Sequence, residues 1–213
     1  PLSHTLSYKE LKQKPQRVTK AWLPRFIATI CPNCAEVLEG EKNSIAFYCR
    51  NCDSLWQELN GRFAGMSWGL VHGKGECHHL PFWKIRVTSS KTALNTIADL
   101  FRVTNHPIVI QQYHEKIILH FWVPAFKIRP RFFLHLAKNI TLTQENLQEG
   151  EKRVPEMIYP ISLPASEAKQ ALKAILSHMV LDKKRFLPLL PAMELDMGDP
   201  ELIFLPFEHS GYD

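Results

Sequence analysis

The sequence predicts an α+β fold: a small N-terminal module, then a mixed domain whose strands are mainly antiparallel. Three observations support this prediction. Two Cys-x-x-Cys pairs, Cys31/Cys34 and Cys49/Cys52, lie close together and are flanked by short β-rich runs. Several strand-like runs follow them. Residues 165–180 then repeat apolar side chains at helical spacing, which indicates one amphipathic helix.

The composition is that of an ordinary folded protein. Of 213 residues, 45% are hydrophobic and 22% are charged, which suffices to bury a core without disulfides. No apolar run reaches the ~18 residues of a membrane span, and the first residues lack a signal-peptide pattern. We therefore expect a soluble protein without a transmembrane segment.

The net charge of +5 is concentrated at the start of the chain. Residues 1–30 contain a single acid, Glu10, and six basic residues: Lys9, Lys12, Lys14, Arg17, Lys20 and Arg25. A basic segment can contact nucleic-acid phosphates or an anionic membrane surface, or it can be a solvated leader. Both interpretations stay open at this stage.

The number and spacing of the cysteines favour a reducing compartment. Five is an odd number, and four of the five form two close pairs. This pattern suits metal binding better than a disulfide framework. We expect a cytoplasmic protein.

The expected elements of the N-terminal part are short. Ser7 to Glu10 has capping-box spacing, so a helix is predicted from about Tyr8 to Pro15. The β-rich runs 26–30, 44–48 and 55–59 are predicted as strands beside the cysteine pairs.

The second part mixes strands and helices. We predict a strand at 79–87, with Pro81 indicating an edge or a bulge, and two apolar runs close the chain at 186–190 and 202–207. Residues 107–113 and 116–123 have the pattern of a hairpin. Helices are predicted at 93–101, capped by Ser89 or Ser90, at 131–138, and from Ala165 to Val180.

These elements give a three-part organisation. Residues 1–25 are expected to be a basic helical leader and linker, 26–62 the cysteine module, and 76–213 the α+β domain. Residues 80–86 and 123–129 share the pattern apolar-Pro-x-aromatic-Lys-Ile-Arg, which suggests a two-copy internal repeat. Coincidence, or two edge strands that meet the same requirement in the same way, would explain the pattern equally well.

The cysteine spacing predicts one structural zinc ion. Tetrahedral zinc needs four donors at ~2.3 Å, and each Cys-x-x-Cys turn supplies two thiolates. Fourteen residues separate Cys34 from Cys49, enough for a hairpin that brings the two turns together. Four protein ligands leave no open position for water or substrate, which favours a structural role over catalysis.

Residues 26–60 resemble a zinc ribbon, the rubredoxin-like fold found in transcription factors, polymerase subunits and ribosomal proteins. The family usually has Gly soon after the second cysteine of each turn, where this sequence has Ala35 and Asp53. That difference weighs against redox-active iron. The resemblance implies a structural zinc, with redox iron and two redox disulfides as alternatives.

A second group of potential ligands surrounds the fifth cysteine. His72, Cys77, His78 and His79 lie within eight residues. They could form a second metal site or a catalytic Cys–His pair, or they could be incidental to a polar glycine-rich loop. Neighbouring residues of an extended chain point in opposite directions, so at most two could share an ion without a tight turn.

Aromatic and basic residues alternate in two segments. Stacking or phosphate contacts with nucleic acid, or contacts with lipid headgroups, could involve Trp83, Lys84, Arg86, Lys127 and Arg129, together with Arg50 beside the second cysteine pair. The same alternation is typical of a half-buried strand.

The pattern as a whole favours an interaction protein. No Walker loop, dinucleotide fingerprint or hydrolase motif is present. We predict a non-catalytic zinc-binding scaffold that contacts protein subunits as an accessory part of a larger assembly. Nucleic-acid binding is the first alternative, and an enzyme using the Cys77–His79 loop is the second.

Overall fold

The computed structural model describes residues 26–73, 77–89, 91–144, 150 and 153–208. The helix predicted at Tyr8–Pro15 and the six basic residues of the leader lie outside these ranges.

A three-stranded antiparallel sheet forms around the cysteine pairs. Its strands are β1 (Ala46–Cys49), β2 (Ser54–Leu59) and β3 (Arg62–Gly65). The strands predicted at 44–48 and 55–59 are confirmed as β1 and β2. The strand predicted at 26–30 is wrong, because this run has no partner strand and makes only an isolated bridge between Ile30 and Val37.

The second sheet has five strands. They are β4 (Trp68–Leu70), β5 (Cys77–Thr88), β6 (His120–Pro124), β7 (Asp196–Met197) and β8 (Glu201–Glu208). The order is β4-β8-β5-β6, and β7 pairs with the end of β5. Only the β4–β8 pair is parallel among the described strands, so the prediction of a mainly antiparallel sheet is confirmed.

Pro81 lies in the interior strand β5, between β8 and β6, and not on an edge strand as the sequence suggested. The N and O atoms of one residue point to the same side of a strand, and Pro81 O accepts a hydrogen bond from Ala125 N at 2.9 Å. The β6 ladder ends at the pair Phe82–Pro124. The N–H that Pro81 lacks would therefore face the β6 side, beyond the end of that ladder, so the strand loses no ladder hydrogen bond there.

Within the described residues, four helices accompany the sheets. They are α1 (Ile97–Thr104), α2 (Pro130–Leu142), α3 (Ala165–Met179) and α4 (Lys183–Phe186). The predicted helices at 131–138 and 165–180 are confirmed as α2 and α3.

The start of α1 differs from the prediction. Thr96 caps the helix and forms a reciprocal capping box with Asp99, so neither Ser89 nor Ser90 is the cap. Ala93 has a φ of 46°, a left-handed conformation that cannot continue a helix. The helix therefore begins four residues later than its apolar stripe suggested.

The hairpin predicted over 107–123 is also wrong. Residues 112–115 form a 3₁₀ turn, and only β6 is a strand in this region. The outer edge of β6 is occupied by side chains: Thr141 Oγ1 accepts from Trp122 N at 3.0 Å, and Gln144 bonds both backbone groups of His120. These side chains take the place at the edge of β6 where a second strand would pair.

Buried apolar clusters lie on both faces of the large sheet. One face carries Trp83 and Ile85 of β5, against which α1 and α3 pack. The other carries Phe82, with Trp122 and Ile203 beside it and α2 over them. Two covered faces explain why β5 and β8 are apolar along most of their length.

The two segments that share a sequence pattern have different structures. Residues 80–86 lie within β5, whereas 123–129 form the end of β6 and a loop. The rings of Phe82 and Phe126 meet edge to face at 6.1 Å, and Phe207 of β8 stacks on Phe82 at 6.0 Å. The Pro-containing segments thus meet in one aromatic contact.

Candidate metal centre

The structure brings Cys31, Cys34, Cys49 and Cys52 together in one cluster, with all four Sγ atoms within 4.8 Å of one another. The Sγ atoms of Cys31 and Cys52 are 3.6 Å apart, and those of Cys34 and Cys49 are 3.4 Å apart. A regular tetrahedron with ~2.3 Å metal–sulfur bonds has edges of about 3.8 Å. The cluster is therefore compatible with one bound metal ion.

Each cysteine pair lies in a tight turn that ends in a left-handed residue. Ala35 has a φ of 63° and Asp53 a φ of 50°, at the two positions where zinc ribbons usually have Gly. In the first turn, Ala35 N donates to Cys31 O at 2.9 Å. Both turns therefore have the conformation that favours glycine, and the side chains of Ala35 and Asp53 cause backbone strain there.

The surroundings of the two buried thiols, Cys49 and Cys31, shift their pKa values in opposite directions. Burial raises the pKa of the Cys49 thiol to about 12. Burial also disfavours the Cys31 thiolate, but hydrogen bonds from the turn amides and from Ser54 outweigh it and lower the pKa of Cys31 to about 6. A metal ion supplies the positive charge that makes several neighbouring thiolates compatible with burial.

Ser54 supports the cluster, a role that the sequence did not reveal. Trp56 Nε1 donates to Ser54 Oγ at 2.7 Å, and this oxygen lies 3.0 Å from Cys52 Sγ. Because an indole N–H only donates, the Ser54 proton can point to sulfur. The Ser54 hydrogen bond is the main cause that lowers the pKa of Cys52. The sequence signal that could have indicated this role is the position of Ser54 two residues after Cys52.

Apolar side chains shield the cluster from water. Cys31 and Cys49 are 2% and 0% exposed, and Leu38 is buried with them. The partly buried side chains of Phe47, Trp56 and Phe63 pack around this group. The enclosure limits solvent access to the sulfurs of Cys31 and Cys49, while Cys34 and Cys52 are half-buried.

The second cysteine turn is fastened to residues 154–156. Arg50 donates to the backbone O atoms of Pro155 at 3.1 Å and Glu156 at 3.2 Å, and it pairs with Glu39 at 3.0 Å. Asp53 Oδ1 accepts from Val154 N at 2.9 Å. The sequence offered Arg50 for nucleic-acid contacts, but its guanidinium group is engaged within the protein.

Ala35→Gly is expected to stabilise the metal-loaded protein by about 1 kcal/mol, because glycine removes the left-handed strain. Urea denaturation of the metal-loaded protein measures the change. Asp53→Gly is the comparison: it relieves similar strain but loses the hydrogen bond to Val154 N, so it should gain less or lose stability. Equal gains in both variants would contradict this account.

The Cys77 loop brings two of its potential ligands together. Cys77 Sγ lies 3.8 Å from His79 Nε2, and both side chains are buried, at 8% and 9% exposure. His78 is exposed on the opposite face of β5, as alternation requires. Burial and the nearby His72 lower the pKa of His79. The pair borders a cavity of about 630 Å³ that residues 153–157 also line.

Metal-ligand clusters of three or more side chains occur once in the described part of the chain, at the four cysteines. The Cys77–His79 pair is therefore a two-residue arrangement. The distance between its sulfur and nitrogen atoms is that of a weak S–H···N contact.

The aromatic and basic candidates of β5 are only partly at the surface. Trp83 is 4% exposed and donates Nε1–H to Leu163 O at 2.9 Å, so it cannot serve as a surface stacking platform. Lys84 lies 3.5 Å from Glu201, and Arg86 is exposed. The prediction for Trp83 fails because both faces of β5 are covered.

The candidates of the second segment remain at the surface. Lys127 and Arg129 are exposed, and Lys127 Nζ lies 3.9 Å from Glu167. The basic residues of the leader lie outside the described ranges, so their proposed contacts stay predictions.

The described residues define an α+β protein that carries a four-cysteine cluster able to hold a metal ion. Comparison of the chain with protein-family models, with curated proteins and with solved structures gave no match. In the described ranges, no helix combines the length and the apolar character required to cross a bilayer.

Proposed function

We propose that residues 26–65 form a zinc ribbon that holds one structural Zn²⁺ and that the protein is a non-catalytic interaction module. The observation that carries the proposal is the cluster of four cysteine sulfurs, in which Cys31 and Cys49 are buried and Cys34 and Cys52 half-buried. Four thiolates are a common structural zinc shell, and they leave no coordination position for a substrate. A cytoplasmic setting, in which thiols stay reduced, belongs to the same proposal.

Exposed apolar side chains beside the first cysteine turn support protein binding. Ile30 and Val37 are bridge partners, so they are neighbours, and they are 49% and 61% exposed. Phe26 at the start of the module is 97% exposed. Exposed apolar side chains of this kind are a natural docking surface for another subunit.

The test compares full-length protein with an Ile30→Asp/Val37→Asp variant in quantitative affinity purification from the native cell. We expect a defined stoichiometric partner that the variant loses and that a Leu187→Asp control keeps. Leu187 is similarly exposed, at 45%, but lies after α4. Purified protein should contain one zinc per chain by elemental analysis. A metal-free, partner-free protein would refute the proposal.

Nucleic-acid binding is the first alternative. Its support is the basic leader, while Arg50 and Trp83 are engaged or buried within the protein. Filter binding to DNA and RNA at two salt concentrations would detect it, since phosphate contacts weaken steeply with salt.

A thiol-based activity is the second alternative, and the observation that favours it is the 3.8 Å approach of Cys77 to His79. The pH dependence of Cys77 alkylation would reveal an activated thiolate. Comparison of the native protein with a His79→Ala variant isolates the contribution of the imidazole.

A further inference from the structure

The loop before α2 and the first turn of that helix form an exposed segment that combines cations with apolar side chains. All residues from 127 to 132 are exposed. Three are cations, Lys127, Arg129 and Arg131, and the apolar residues Ile128 and Phe132 are 39% and 51% exposed. We call residues 127–132 the cationic tip.

The charge of the cationic tip is not balanced nearby in the sequence. Residues 116–144 contain no Asp or Glu, and their cations are Lys116, Lys127, Arg129, Arg131 and Lys138. Helix α2 has no acidic residue in its first turn and no side-chain cap, so its positive dipole end adds to the field. Neither Arg129 nor Arg131 forms an ion pair with a described residue, although Lys127 lies near Glu167.

We propose that the cationic tip docks the protein peripherally on an anionic lipid bilayer. Ile128 and Phe132 would enter the boundary between headgroups and acyl chains, while the three cations contact lipid phosphates. This role goes beyond the proposed binding of a protein subunit and does not depend on it.

A bilayer surface can bind the cations and the exposed apolar side chains of the cationic tip at the same time. Its phosphate plane attracts cations, and each Lys or Arg near an anionic surface raises partitioning roughly fivefold. An apolar medium lies a few ångströms deeper and receives exposed apolar side chains. Three cations and two apolar side chains are enough for reversible attachment and not for permanent anchoring.

Nucleic acid fits this surface less well. Its phosphates would pair with the cations but would leave Ile128 in water, and strand binding relies on several stacked aromatic rings. Phe126 is only 2% exposed and Phe133 is half-buried, so Phe132 is the exposed ring within residues 126–133.

Vesicle flotation of the full chain tests the proposal. The vesicles contain phosphatidylcholine alone or with about 30% phosphatidylserine, at roughly 0.1 and 0.5 M salt. We expect binding to the anionic vesicles at low salt. Arg129→Glu/Arg131→Glu should lower partitioning at least tenfold, and Ile128→Ser/Phe132→Ser about fivefold or more. The matched control Lys184→Glu/Arg185→Glu reverses the same charge on α4 and should change it less than twofold.

Three outcomes would overturn the proposal. The first is failure of the native protein to bind anionic vesicles. The second is binding that both tip variants retain, which would assign it to other residues such as the basic leader. The third is tip-dependent binding to a single-stranded oligonucleotide that exceeds vesicle binding, which would make this a nucleic-acid surface. Circular dichroism of each variant confirms that the fold is kept.

Discussion

Cys49→Ser is expected to abolish metal binding and to unfold residues 26–65. Cys49 is 0% exposed, and its Sγ lies 3.4 Å from Cys34 Sγ, so a serine leaves a buried hydroxyl and three unmatched thiols. The binding free energy of a structural zinc is about 10–16 kcal/mol, and it is largely folding free energy. The small apolar group around Leu38 cannot replace it.

The structure extends this expected loss beyond the cysteine module. Ile45 N donates to Ile161 O at 2.8 Å, and Asp53 and Arg50 bond residues 154–156. Ala46 and Leu55 also belong to the large core cluster. We therefore expect segment 153–161 to lose protection too, although it lies outside the cysteine module.

Hydrogen exchange and elemental analysis check this prediction. Protection against exchange should disappear in β1–β3 and in 153–161. It should persist in β5 and β8, because both faces of the large sheet are covered there. Cys77→Ser is the matched control, since Cys77 lies outside the four-cysteine cluster and its loss should leave the zinc content unchanged. Retention of one zinc by Cys49→Ser would contradict the prediction. Loss of protection throughout would show one cooperative unit.

Phe82→Ala is expected to have the second largest effect, a loss of about 3–5 kcal/mol in the free energy of unfolding. Phe82 is 0% exposed, in the centre of the large sheet, and its ring contacts both Phe126 and Phe207. Truncation would open a cavity where three segments of the chain meet.

Urea denaturation measures this loss. Phe132→Ala is the control, because Phe132 is 51% exposed and its truncation should change stability by less than about 0.5 kcal/mol. Similar losses in the two variants would contradict the assignment of Phe82 to the core. A loss below about 1 kcal/mol for Phe82→Ala would show that this face of the sheet repacks.

Local patterns in the sequence predicted the elements that depend on local chemistry. The cysteine spacing predicted the cluster of four sulfurs because each Cys-x-x-Cys turn is determined by its own few residues. The helix over 165–180 and the strand over 79–87 followed from their periodicity.

The errors arose where a distant partner competes with local propensity. The run 107–113 has strand propensity, but Thr141 and Gln144 already occupy the edge of β6 that it would need. The alternation of aromatic and basic residues around Trp83 suggested that one face of this strand is exposed to solvent. In the structure, α2 and α3 together cover both faces of the sheet.

The sequence by itself therefore determined the α+β class, the four potential metal ligands and the two long helices, since these depend on spacing within short segments. Only the tertiary structure decided that Arg50 and Asp53 fasten the second cysteine turn to residues 154–156. It also decided which basic residues stay at the surface. Both depend on contacts between residues far apart in sequence, which local patterns do not encode.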